Sequence, residues 1–115
     1  MSLTLAHVTF DCADPIKLSA FWSAALGRPV DPGASELFAT IGFPPAPAAN
    51  TWMFIKVSEA KTAKNRMHVD LHSDDRAADV MRLISLGAVQ VGDYDEFGHQ
   101  WTTLRDPEGN EFCVS

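Results

Sequence analysis

The feature that most constrains the fold is an internal repeat. "HVTFDCAD" (His7–Asp14) aligns without a gap on "HVDLHSDD" (His68–Asp75): His meets His, Val meets Val, Phe10 meets Leu71 and Asp14 meets Asp75. The offset from His7 to His68 is 61 residues. "LGRPV" (Leu26–Val30) and "LGAVQV" (Leu86–Val91) repeat the relation at an offset of 60. Two matches in the same order, each displaced by slightly more than half of the 115 residues, indicate that both halves carry the same unit. A chain of this length is expected to form one domain, 1–115, with modules at about 1–60 and 61–115.

Local signals spell out that unit. "TLAHVTFDC" alternates in polarity and is rich in strand formers. Asp14-Pro15 starts a helix, with Asp as the cap and Pro at the first helical position. Leu18, Phe21, Trp22, Ala25 and Leu26 form its apolar stripe, and Gly27 stops it. "RPVD", "ELFATIGF" and "TWMFIKVS" then read as strands, with a proline-rich loop at Pro44–Thr51. In the second half "RMHVDLHS" is a strand. Asp74 or Asp75 caps a helix with the stripe Ala77, Val80, Met81 and Ile84, and Gly87 ends it. "AVQVGDYD", "HQWTTLRD" and "NEFCVS" follow as strands, the last two joined by a "DPEGN" turn. The expected fold is α+β: two βαβββ modules forming a curved, mostly antiparallel eight-stranded sheet, with helices on the outer face.

Charge and composition exclude some functions. The net charge of −6 argues against a nucleic-acid surface, which needs clustered Lys and Arg. No apolar run approaches a membrane span, and no signal peptide precedes the first strand, so a soluble, cytoplasmic protein is expected. Cys12 and Cys113 lack C-x-x-C spacing and read as two buried free thiols, with a bridge between them as the other reading.

Strand alternation sorts the side chains. Val8, Phe10, Val69, Leu71, Phe112 and Val114 should pack under the helices. His7, Thr9, Asp11, His68, Asp70, His72, Glu111 and Cys113 should face the concavity. Imidazoles at His7 and His68 with a carboxylate at Glu111 suit Zn²⁺, Ni²⁺, Mn²⁺ or Fe²⁺. Asp70 could orient an imidazole, act as a base, or simply pair with Lys56 or Arg66. His72 reads as a cap-region histidine and His99 as surface or cavity rim. Trp22 reads as core, while Trp52 and Trp101 could line a pocket or pack in the core.

"HVTFDCADP" leading into "FWSAALG", then "KNRMHVDLHSDD", "LISLGA" and "LRDPEGNEFCV" resemble the vicinal oxygen chelate superfamily, and within it the small glyoxalase-like proteins. The resemblance covers nearly the whole chain and implies paired βαβββ modules. It also implies up to four metal ligands. His7 and His68 match two of them. The fourth-strand position falls in "WMFIKV", which has no carboxylate, and the final one falls on Cys113, with Glu111 two residues earlier. Two functions stand side by side. One is a metal-dependent lyase, isomerase or dioxygenase-type enzyme, with His7, His68 and Glu111 or Cys113 on the metal and Asp70 and Glu111 catalytic. The other is a metal-free ligand-sequestering protein of the bleomycin-resistance kind. In both a small molecule is gripped by Trp101, Cys113 and Thr9. Small members of the family often form homodimers.

Overall fold

The computed structural model describes residues 3–43 and 50–115, which divide into two compact units, Met1–Ala60 and Lys61–Ser115. The first holds β1 (His7–Cys12), α1 (Pro15–Leu26), β2 (Phe38–Ile41) and β3 (Thr51–Lys56). The second holds β4 (Val69–Leu71), α2 (Arg76–Ser85), β5 (Val89–Glu96), β6 (His99–Arg105) and β7 (Glu111–Val114). Residues 44–49 of the proline-rich loop lie outside the described residues.

The repeat is visible in the strand order. The first sheet runs β1-β3-β2 and the second β4-β7-β6-β5. In each, the opening strand lies parallel to the closing one: β1 on β3 and β4 on β7. The other pairings are antiparallel. Seven strands are present among the described residues, not eight. The expected strand at "RPVD" is reduced to a single bridge between Val30 and Ile41. Pro29 and Pro32 flank it and supply no amide donors. Asp31 ties the segment down instead, accepting from Thr40 Oγ1 at 2.7 Å and the Phe43 amide at 2.8 Å.

In the first unit Asp14 accepts from the Lys17 amide, Pro15 opens the helix, and Gly27 ends it at φ 66°, a backbone shape that favours glycine. Under α1, Trp22 meets Phe10 and Trp52 at centroid distances of 5.5 and 5.1 Å, and Phe10 stacks on Phe54 at 5.5 Å. Trp52 is therefore buried in the core. Cys12 and Cys113 are both buried thiols outside any disulfide, and Cys12 Sγ donates to the Ile55 carbonyl at 3.6 Å.

In the second unit Asp75, not Asp74, caps α2 by accepting from the Ala78 amide at 3.1 Å. The buried stripe is Val80 and Leu83. Of the expected stripe Val80 is buried, but Ala77 is exposed, Met81 is 68% exposed and Ile84 lies at the margin. Four-residue spacing from Ala77 to Met81 favoured the wrong edge of the helix. Phe112, Val114 and Leu104 fill the core, as the alternation requires. The "DPEGN" turn is organised by buried Asp106, whose Oδ1 accepts from the amides of Glu108 (2.9 Å) and Asn110 (3.0 Å). No helix among the described residues is long and apolar enough to cross a membrane.

Candidate functional site

One face of the second sheet lines an open cleft of about 910 Å³, and every lining residue belongs to Lys61–Ser115. Its floor follows from register. Asp70 pairs with Cys113 across the parallel β4/β7 ladder, and Cys113 with Thr103 across the antiparallel β7/β6 ladder. These three form one row of side chains on one face. The neighbouring row pairs Glu111 with Arg105. Further along β6, Trp101 pairs with Tyr94 of β5.

β5 reaches the same face through a bulge. The register shifts between Gln90 and Gly92, so Val91 is an extra residue and the alternation changes phase. Val91, Tyr94 and Glu96 thus all line the cleft. The Tyr94 ring lies back over Gly92, where a β-carbon would stand 3.2 Å from the Tyr94 hydroxyl oxygen. This lets Tyr94 stack on Trp101 at 5.4 Å, while His99 approaches the same indole at 5.8 Å. The result is an aromatic shelf open to solvent.

At the opposite end stand His68, Asp70 and Cys113. One potential ligand atom from each lies within 4.8 Å of the other two. His68 Nε2 is 3.3 Å from Asp70 Oδ1. Both are exposed, whereas Cys113 is buried and its sulfur lies 3.4 Å from Thr103 Oγ1.

Glu111 is not in that group. Two residues along β7 displace it by about 7 Å, toward the segment entering β4. There it accepts from the Asn65 amide at 3.0 Å and pairs with Lys61 at 3.3 Å and Arg105 at 3.6 Å. Burial works to raise its carboxyl, but the Asn65 amide, its own amide and Lys61 outweigh burial and hold it below its ordinary value. Glu111 is an ionised anchor with its oxygens engaged.

Five of the expected site residues fall within the second unit's cleft. His68, Asp70, Trp101, Glu111 and Cys113 share the cleft. His7 and Thr9 are exposed on β1 of the first unit. His72 lies outside the cleft lining, 3.3 Å from Asp74 at the helix cap, and His99 stands at the cleft beside Trp101. Asp70 neighbours His68. Thr103, Arg105, Lys61 and Tyr94 were not anticipated. Thr103 and Arg105 follow from Trp101 by strict alternation, while Tyr94 depends on the bulge and Lys61 on a loop.

The family model for the glyoxalase-like domain matches residues 7–115. The chain belongs to that family. Its solved structural neighbours lie in the vicinal oxygen chelate superfamily, as the motifs implied. A glyoxalase/bleomycin resistance protein/dioxygenase family enzyme from Burkholderia phytofirmans PsJN superposes with a TM-score of 0.77 at 21% identity, covering 97% of each chain. A mutant fosfomycin resistance protein from Listeria monocytogenes, complexed with Mn(II) and 1S,2S-dihydroxypropylphosphonic acid, gives 0.79 at 13%, covering 99% of this chain and 90% of that one. The bleomycin-binding protein of Streptomyces verticillus, complexed with copper(II)-bleomycin, gives 0.66 at 16%, covering 100% and 98%. At these identities the likeness establishes the glyoxalase-like fold alone. No curated protein matches the chain.

Proposed function

We propose that the cleft of the second unit binds a small organic molecule and holds a divalent cation through His68, Asp70 and Cys113. The observation that supports this is the convergence of imidazole, carboxylate and thiol on one wall of a roomy cleft. The donor set suits a cation. Tetrahedral ligands at ordinary zinc distances stand about 3.3–3.8 Å apart. Donors already within 4.8 Å reach that spacing by side-chain rotation, and exposed His68 and Asp70 have room to rotate. Three protein ligands leave a position for substrate. A bound cation of this kind polarises a substrate oxygen, the chemistry used by lyases and isomerases. Asp70, the most exposed donor, is placed to exchange a proton with a ligand. Glu111 acts by holding Lys61 and Arg105 at the cleft rather than as a ligand.

Metal analysis of protein purified without chelators tests this reading, together with Zn²⁺, Ni²⁺ and Mn²⁺ titration. Stoichiometric metal that is lost in a His68→Ala/Asp70→Asn double variant is expected. Sub-stoichiometric metal, unchanged on adding any of the three ions, would sink it.

A second reading rests on the Tyr94–Trp101 stack. Here the cleft grips a flat ligand without metal, through aromatic surface and a few polar groups. It predicts quenching of tryptophan fluorescence by a planar aromatic ligand that survives EDTA and is lost in Trp101→Ala.

A further inference from the structure

We infer that Cys113 is a thiolate ligand and makes the cleft selective for zinc and cobalt over manganese and magnesium. This rests on the cation reading above and adds the class of cation.

Four observations carry it. Cys113 is 7% exposed and sits centrally in its row, between Asp70 on one ladder and Thr103 on the other. Its sulfur is the positionally fixed donor of the trio, while His68 and Asp70 are exposed and adjustable. Thr103 Oγ1 lies 3.4 Å from that sulfur and can donate its proton to a thiolate. Finally, the nearest carboxylate on the same strand, Glu111, is engaged by Lys61, Arg105 and the Asn65 amide, which leaves the β7 contribution to sulfur.

A thiolate changes which cation is held. Sulfur bonds strongly to borderline and soft ions, whereas Mn²⁺ and Mg²⁺ favour oxygen. Ligation displaces the thiol proton to solvent as the sulfur–metal bond forms, with no change in oxidation state.

The test uses the reduced, EDTA-stripped full chain titrated with Co²⁺. A thiolate–cobalt charge-transfer band in the near ultraviolet is expected, absent in Cys113→Ser. Zn²⁺ should displace Co²⁺ and bleach the band, while Mn²⁺ at equal concentration should not. Cys113→Asp should shift the Zn²⁺/Mn²⁺ preference toward manganese by about tenfold or more. Wild-type protein supplies a check that needs no variant. Zn²⁺ should protect Cys113 from iodoacetamide, read by peptide mass spectrometry, with buried Cys12 of the first unit as the internal reference. Uptake of Co²⁺ without the band, or without protection of Cys113, overturns the thiolate inference and leaves the cation reading intact. No uptake of Co²⁺ or Zn²⁺ overturns both.

Discussion

Replacing Glu111 by Gln isolates the charge that organises one end of the cleft. The amide has nearly the same shape and still accepts from the Asn65 N–H. A hydrogen bond to a charged acceptor contributes about 1.5–3 kcal/mol and a neutral one about 0.5–1.5, so that bond weakens by about 1 kcal/mol. The Lys61 and Arg105 pairs, at 3.3 and 3.6 Å, are lost as ion pairs. Their cationic partners are 28% and 51% exposed, so each is worth the modest figure of a solvent-screened pair, about 0.2–1 kcal/mol. The sum is about 1.5–3 kcal/mol at pH 7. Urea denaturation should show it as a midpoint lowered by about 1–2 M. The pH dependence carries the sign. A carboxyl held low in the folded state adds stability above its unfolded value, about pH 4.3, and loses it as pH falls through the folded value. The gap between wild type and Glu111→Gln should therefore close as the solution is acidified below that point. Asp31 and Asp79 are also held low, but they are common to both proteins and cancel in the difference. A gap under about 0.5 kcal/mol at pH 7, the size of an ordinary surface exchange, would refute the anchoring role. So would a gap of equal size at pH 7 and pH 3.

Other substitutions probe the remaining elements. Gly92→Ala places a β-carbon 3.2 Å from the Tyr94 hydroxyl oxygen, so the ring should lift from Trp101. The near-ultraviolet circular dichroism of the pair should change, with a stability loss of about 0.5–1.5 kcal/mol. Asp106→Ala strips the acceptor from the Glu108 and Asn110 amides and should cost about 2–4 kcal/mol by urea denaturation. Trp22→Ala removes a fully buried indole beneath α1 and should cost about 3–5 kcal/mol in thermal or chemical unfolding.

Much of the frame was legible because it depends on patterns short in sequence. The repeated His-Val strand and Asp-capped helix predicted matching halves, and both sheets place the opening strand parallel to the closing one. Alternation put His68, Asp70, Glu111 and Cys113 on one side of their strands, and all four line the cleft. The departures occur where local pattern and neighbouring chemistry disagree. "RPVD" stands where the repeat calls for a strand, yet its prolines allow only the Val30 bridge. The α2 stripe was misplaced because Leu83 and Met81 are both apolar and only packing chooses between them.

The roles of Glu111 and Cys113 were harder to read, and for a definite reason. Both point to the same face, two residues apart, and by composition the carboxylate is the more ordinary metal ligand. The choice is made by three groups outside β7. Asn65, Lys61 and Arg105 converge on Glu111, while Asp70 and Thr103 flank Cys113. A carboxylate whose lone pairs are already shared among an amide and two cations gains little by moving to a metal, because those partners would lose their acceptor. The thiol has no such commitment beyond Thr103 and stands next to His68 and Asp70. The same one-step displacement along β7 thus separates the anchoring residue from the one proposed as a ligand. In the Glu111→Gln protein, Co²⁺ charge transfer from Cys113 should persist even as the urea midpoint falls.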